Sequence, residues 1–162
     1  MDINDRGVVL GWSALSRGVS APRSFLWRRG TLADLSLTLP GDASAFPNGI
    51  NDSGEVVGSS RPATGPSHAV LLRRGRLISL GLGAARSINN RGQVVGDGPG
   101  GAFLYQRGRR IELNSLLPAG SGWTLSRAQD INDRGEIVGR GIHNGAQRSF
   151  LLSPSKDDDD DD

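Results

Sequence analysis

The chain's 162 residues suffice for one domain with a real core and are too few for two large ones. There is no cysteine, which excludes a disulfide framework and any Cys-based zinc or redox centre, and no apolar run reaches the roughly 18 residues of a membrane-spanning helix. The net charge of +2 conceals two opposed parts: six of the 17 acidic residues lie in Asp157–Asp162, leaving a body with 19 cations against 11 anions.

All the cations but Lys156 are arginine, the residue suited to planar contacts with carboxylates, phosphates and aromatic faces. Glycine, at 24 of 162 residues and with no Gly-X-Y period, reads as turn and close-packing chemistry.

From the N-terminus the chain enters, after two residues, Ile3-Asn4-Asp5-Arg6-Gly7-Val8-Val9-Leu10-Gly11, with no charged-then-apolar secretory signal ahead of it. The same nonapeptide returns as Ile50-Asn51-Asp52-Ser53-Gly54-Glu55-Val56-Val57-Gly58, as Ile88-Asn89-Asn90-Arg91-Gly92-Gln93-Val94-Val95-Gly96, and as Ile131-Asn132-Asp133-Arg134-Gly135-Glu136-Ile137-Val138-Gly139. Asn and Asp side chains hydrogen-bond their own backbone, and the glycine supplies the positive φ of a tight turn. Asn4 with Gly7, Asn51 with Gly54, Asn89 with Gly92, and Asn132 with Gly135 are therefore read as hairpin turns, each entering a β-branched strand. Gly11, Gly58, Gly96 and Gly139 end those strands and are read as points of strand crowding where a Cβ does not fit.

A second strand follows each block: Ser24-Phe25-Leu26-Trp27, Ala69-Val70-Leu71-Leu72, Ala102-Phe103-Leu104-Tyr105 and Ser149-Phe150-Leu151-Leu152. In three copies an Arg-Gly turn (Arg29-Gly30, Arg74-Gly75, Arg107-Gly108) leads into a further strand ending at Leu35, Leu80 and Leu113. Four short strands in about 40 residues predict an all-β fold, a four-repeat β-propeller-like array of short antiparallel strands. The array is expected to form one domain over residues 1–155, with repeats at about 1–48, 49–86, 87–129 and 130–155. A β-solenoid is the alternative, disfavoured because insertions such as 61–67 fall between strands without disturbing the motif. Residues 156–162 read as a disordered poly-Asp tail.

The pairing of Ile-Asn-x-x-Gly-x-Val-Val-Gly with a strand of His-Ala-Phe-Leu-Trp type resembles the HAF repeat family of bacterial, mostly extracellular, proteins, from Ile3 to about Leu152. His68-Ala69-Val70 is the one copy that keeps the histidine; the others read Arg23-Ser24-Phe25, Gly101-Ala102-Phe103 and Arg148-Ser149-Phe150. The resemblance implies an extracellular or cell-surface location and a propeller-like architecture, and it carries no chemical activity with it.

Chemistry is sparse. Asp130 to Gly135 begins like a calcium loop, but Arg134 stands where an oxygen ligand belongs and no glutamate closes the loop. His68 and His143 lie in different repeats without a carboxylate or cysteine at ligand or triad spacing, and no Gly-x-Ser-x-Gly elbow occurs. Neither catalytic residues nor a cofactor are expected, and the chain is read as not an enzyme. Cation binding by Asp157, Asp158, Asp159, Asp160, Asp161 and Asp162 is a secondary reading of what looks like an appended tail.

The remaining candidates are surface groups. Arg28, Arg29, Arg73, Arg74, Arg76, Arg107, Arg109 and Arg110 flank the Arg-Gly turns and would form a cationic rim for an anionic polymer or glycan; a solvated turn face explains them equally, and nucleic acid is a less favoured ligand. Trp12 aligns with the polar Ser59, Asp97 and Arg140 and is the candidate exposed aromatic, whereas Trp27 and Tyr105, aligned with Leu72 and Leu152, are expected in the core. The leading expectation is a non-catalytic extracellular scaffold for binding or self-assembly, with a glycan-binding module as the alternative and a loop-borne active site third. Counting strands suggests that both ends are half-units leaving a two-stranded last blade, whose open edge would allow self-association.

Overall fold

The structure is a computed structural model that describes residues 1–13 and 23–154. The acidic tail and its cation-binding reading lie outside the described residues. The described chain is all-β, with one 3₁₀ turn at Leu113–Leu116.

Four antiparallel sheets follow one another along the chain, each built only from consecutive strands. The first comprises β1 (Asp2–Ile3), β2 (Val9–Ser13), β3 (Arg23–Arg28) and β4 (Thr31–Leu35); the second β5 (Ser44–Ile50), β6 (Val56–Arg61), β7 (His68–Arg73) and β8 (Arg76–Leu82). The third holds β9 (Ala84–Ile88), β10 (Val94–Gly98), β11 (Gly101–Gln106) and β12 (Arg109–Glu112), and the fourth β13 (Trp123–Ile131), β14 (Ile137–His143) and β15 (Ala146–Leu152). All strand pairing is internal to a sheet among the described residues, so the solenoid alternative, in which successive coils pair strand to strand, does not describe the chain.

The turns follow from local chemistry. Gly7, Gly54, Gly92 and Gly135 take φ of +71°, +76°, +73° and +82°, and each N–H donates to the carbonyl of the Asn three residues before. At the other hairpin, Arg29-Gly30, Arg74-Gly75 and Arg107-Gly108 have positive φ at both residues, the signature of a type I′ turn.

Two corrections concern boundaries. The strand before each Ile-Asn block belongs to the sheet that follows it, so limits at 48/49, 86/87 and 129/130 fall inside β5, β9 and β13. The short ends also belong to different sheets: the first keeps β1 as a two-residue stub, and the last is three-stranded rather than two-stranded, with no strand after β15 among the described residues.

One packing arrangement recurs three times. Leu10 of the first sheet meets Ala45, Ile50, Val56 and Val70 of the second. Val57, Ala69 and Leu71 of the second meet Ala85, Ile88, Val94 and Phe103 of the third, and Val95, Ala102 and Leu113 meet Ala128, Ile131, Ile137 and Phe150 of the fourth. At each of the three junctions the earlier sheet contributes the second residue of its Val/Ile/Leu pair and the later sheet the first residue of its own, as alternation along a strand requires. Gly58, Gly96 and Gly139 lie where the neighbouring strand bulges, and a Cβ there would run into the carbonyl oxygens of Phe46, Ala84 and Arg127. Gly11 meets only the ring of Phe25, because β1 ends before reaching it.

Candidate functional site

The four Asn turns gather at one place. Ile3, Ile50, Ile88 and Ile131, with the Asn-Asx pairs that follow them, line a single pocket of about 300 Å³. The turns are joined by two hydrogen-bond ladders running in one direction. In the first, the side-chain amide of Asn4 donates to the carbonyl of Asn51 (2.9 Å), Asn51 to Asn89 (3.1 Å) and Asn89 to Asn132 (2.9 Å). In the second, the backbone N–H of Asp5 donates to the Asp52 carboxylate (2.9 Å), Asp52 to the Asn90 side-chain oxygen (2.8 Å) and Asn90 to the Asp133 carboxylate (2.7 Å).

Each ladder has two loose ends. At the fourth repeat the Asn132 amide donates only to Glu136 within its own turn (2.5 Å), and no acceptor faces the Asp133 N–H among the described residues. Asn132 is exposed, whereas Asn51 and Asn89 are buried. At the first repeat, no side-chain amide reaches the Asn4 carbonyl and no N–H reaches the Asp5 carboxylate among the described residues. Donation from Asn132 and from the Arg134 guanidinium holds the Glu136 carboxyl below its ordinary range.

The apolar faces end in the same way. Ile50, Ile88 and Ile131 are 5–7% exposed, but Ile3 is 63% exposed. Leu10, Val57 and Val95 are wholly buried, but Val138 is 43% exposed, and Leu151 is 63% exposed where Leu71 is buried. On the first sheet Trp27 and Leu32 are also exposed. The expectation that Trp27 packs in the core fails because no preceding sheet covers it; Tyr105, which has one, packs against the core. Repetition in the sequence identified these positions as core, and only their place at the ends of the array uncovers them.

The arginine set divides. Arg28, Arg29, Arg74, Arg76, Arg107 and Arg109 are exposed. Arg73 is engaged, pairing with Glu55 (2.5 Å) and donating to the Gly92 carbonyl of the next repeat (3.2 Å). Arg110 is engaged as well: it lies 4.0 Å from the Phe103 ring centroid, pairs with Glu112 (2.9 Å) and donates to the carbonyls of Leu80 (3.0 Å) and Leu82 (2.9 Å). Both therefore staple one repeat to another instead of standing on a rim. Trp12 is exposed and meets Phe46 edge-on at 5.8 Å.

His68 has a carboxylate partner that its sequence spacing conceals. Its Nδ1 lies 3.3 Å from Asp42, which also accepts the Ser60 hydroxyl at 2.5 Å. This order is wrong for nucleophilic catalysis, since the carboxylate and not the imidazole takes the serine proton, and Ser60 is fully buried with its oxygen accepting from the Leu39 N–H (2.9 Å). The group anchors the 37–43 segment to β6. Among the described residues no three His, Asp or Glu side chains are grouped to hold a metal ion. No family model, curated protein or solved structure matches the chain.

Proposed function

We propose that the chain is a non-catalytic β-repeat scaffold of propeller type, extracellular or cell-surface, that works by docking rather than by chemistry. The supporting observation is the threefold use of one sheet-to-sheet contact, with the four Asn turns around a common pocket and one half of that contact uncovered at each end. Stacked sheets of three or four strands with neighbouring first strands suit a propeller, whose blades number about four to eight. Self-assembly is the preferred mode of docking, because the uncovered surfaces expose apolar residues that are core in the internal repeats and carry interrupted hydrogen-bond ladders.

Binding of an anionic polymer is the second reading, favoured by the exposure of Arg28, Arg29, Arg74, Arg76, Arg107 and Arg109. Two measurements test the proposal: light scattering over a concentration series, and retention on immobilised heparin at rising salt. Self-association, or retention that falls steeply with salt through counterion release, supports it. A monomer that binds no polymer and turns over a substrate in a hydrolase screen overturns it.

A further inference from the structure

We infer that the two uncovered faces are complementary and that a second copy of this chain docks head to tail, the fourth sheet of one molecule against the first sheet of the next. This rests on the scaffold reading above and specifies its partner and its geometry.

Three internal junctions show what such a contact looks like. In each, the forward face of one sheet supplies the residue before the strand-ending glycine (Leu10, Val57 or Val95), and the backward face of the following sheet supplies an Ile, the first residue of its Val-Val or Ile-Val pair and an aromatic or Val. The fourth sheet presents that forward set uncovered in Val138 and Leu151, extended by Ile142 on the same side of β14, with the exposed Arg140 between Val138 and Ile142. The first sheet presents the backward set in Ile3, Trp27 and Leu32, with Val9 and Phe25 half-buried where Val56 and Val70 are buried. Apolar surface of this kind, continuous with an interface already used three times, has the shape and chemistry of another copy of itself.

The hydrogen-bond ladders give the same answer independently and fix the direction. Both run from donor on one repeat to acceptor on the next, so the fourth repeat ends in two donors, the Asn132 amide and the Asp133 N–H. The first repeat ends in the two matching acceptors, the Asn4 carbonyl and the Asp5 carboxylate. The two ladder groups left on the fourth repeat are both donors and cannot pair with their own copies, so a twofold face-to-face dimer leaves the ladders broken, whereas head-to-tail docking continues both. Such a contact is heterologous: it closes into a ring when the rotation permits and otherwise grows. Two chains bring eight repeats, within the propeller range of about four to eight blades.

The test exploits this asymmetry. Two variants are made in the full chain, Val138→Glu with Leu151→Glu on the forward face and Ile3→Glu with Leu32→Glu on the backward face; all four side chains are exposed, and circular dichroism verifies that each variant keeps its β spectrum. Leu116→Glu, at an exposed leucine of the 3₁₀ turn, is the control. Light scattering should show the parent and the control rising from the 17.1 kDa monomer to at least twice that mass with concentration, and each face variant remaining monomeric. Mixing the two face variants should then restore a one-to-one dimer and nothing larger, because one molecule keeps its forward face and the other its backward face. A monomeric parent at high concentration overturns the proposal, as does association that survives in both variants or a mixture that stays monomeric. A monomeric parent that still binds heparin leaves the scaffold reading intact while this inference fails.

Discussion

Replacing Asn89 by alanine should cost far more than replacing Asn132, although the two residues do the same local work. Each side-chain oxygen accepts from the backbone N–H two and four residues on (3.1 and 2.9 Å at Asn89, 3.0 and 3.0 Å at Asn132), and each amide donates to the side chain four residues on. Only Asn89 is also buried and donates across to the next repeat. At Asn132 water can replace what is lost, so the change should remain near the net worth of a hydrogen bond, about 1 kcal/mol. At Asn89 the loss strands buried groups on both sides of the junction, at about 1–3 kcal/mol for each unsatisfied group, and a total of about 3 kcal/mol is reasonable. For a chain of this size 1 kcal/mol lowers Tm by about 2–4 °C, so Asn89→Ala should lower it by about 6–12 °C and Asn132→Ala by about 2–4 °C. Thermal melts followed by circular dichroism, at concentrations low enough to keep the chain monomeric, measure both. Equal shifts would refute the argument, because the ladder between repeats would then contribute nothing beyond the turn itself.

Gly96→Ala should destabilise by about 1–3 kcal/mol, since the new methyl meets the rigid Ala84 carbonyl, while Gly11→Ala should cost under about 1 kcal/mol because only the movable Phe25 ring is in the way; urea unfolding of both variants gives the comparison. Glu136 should titrate below an ordinary glutamate, and Asn132→Ala should raise its midpoint, as read by NMR of the side-chain carboxyl. Its folded pKa is depressed, so the stabilisation it gives is present above the unfolded value and disappears as pH falls through the folded one. Arg110→Ala should loosen the junction between the second and third sheets, seen as faster amide exchange at Leu80 and Leu82 flanks than in an Arg109→Ala control, whose side chain is exposed.

The fourfold Ile-Asn-x-x-Gly block and the Arg-Gly turns made the β class and the turn positions legible, because a tight turn with positive φ is decided by the few residues that form it. The glycine ending each β-branched strand was legible as a crowding point on the same local ground. The sheet to which the strand before each Ile-Asn belongs was not, since it carries no motif of its own, and this displaced the repeat limits and gave the last sheet too few strands. Asp42 and His68 stand 26 positions apart, so their contact arises only when β7 pairs beside β6. Trp27 was assigned by alignment with its equivalents and Arg110 by its place beside an Arg-Gly turn, and their actual settings depend on which sheet stands next to them. What the sequence by itself determined is therefore the repeating unit, its turns and its alternation of inward residues, all of which are short-range. Only the tertiary structure decided which repeats have neighbours: burial is a property of what packs on a face, so identical residues are core at Ile50 and Val57 and open surface at Ile3 and Val138.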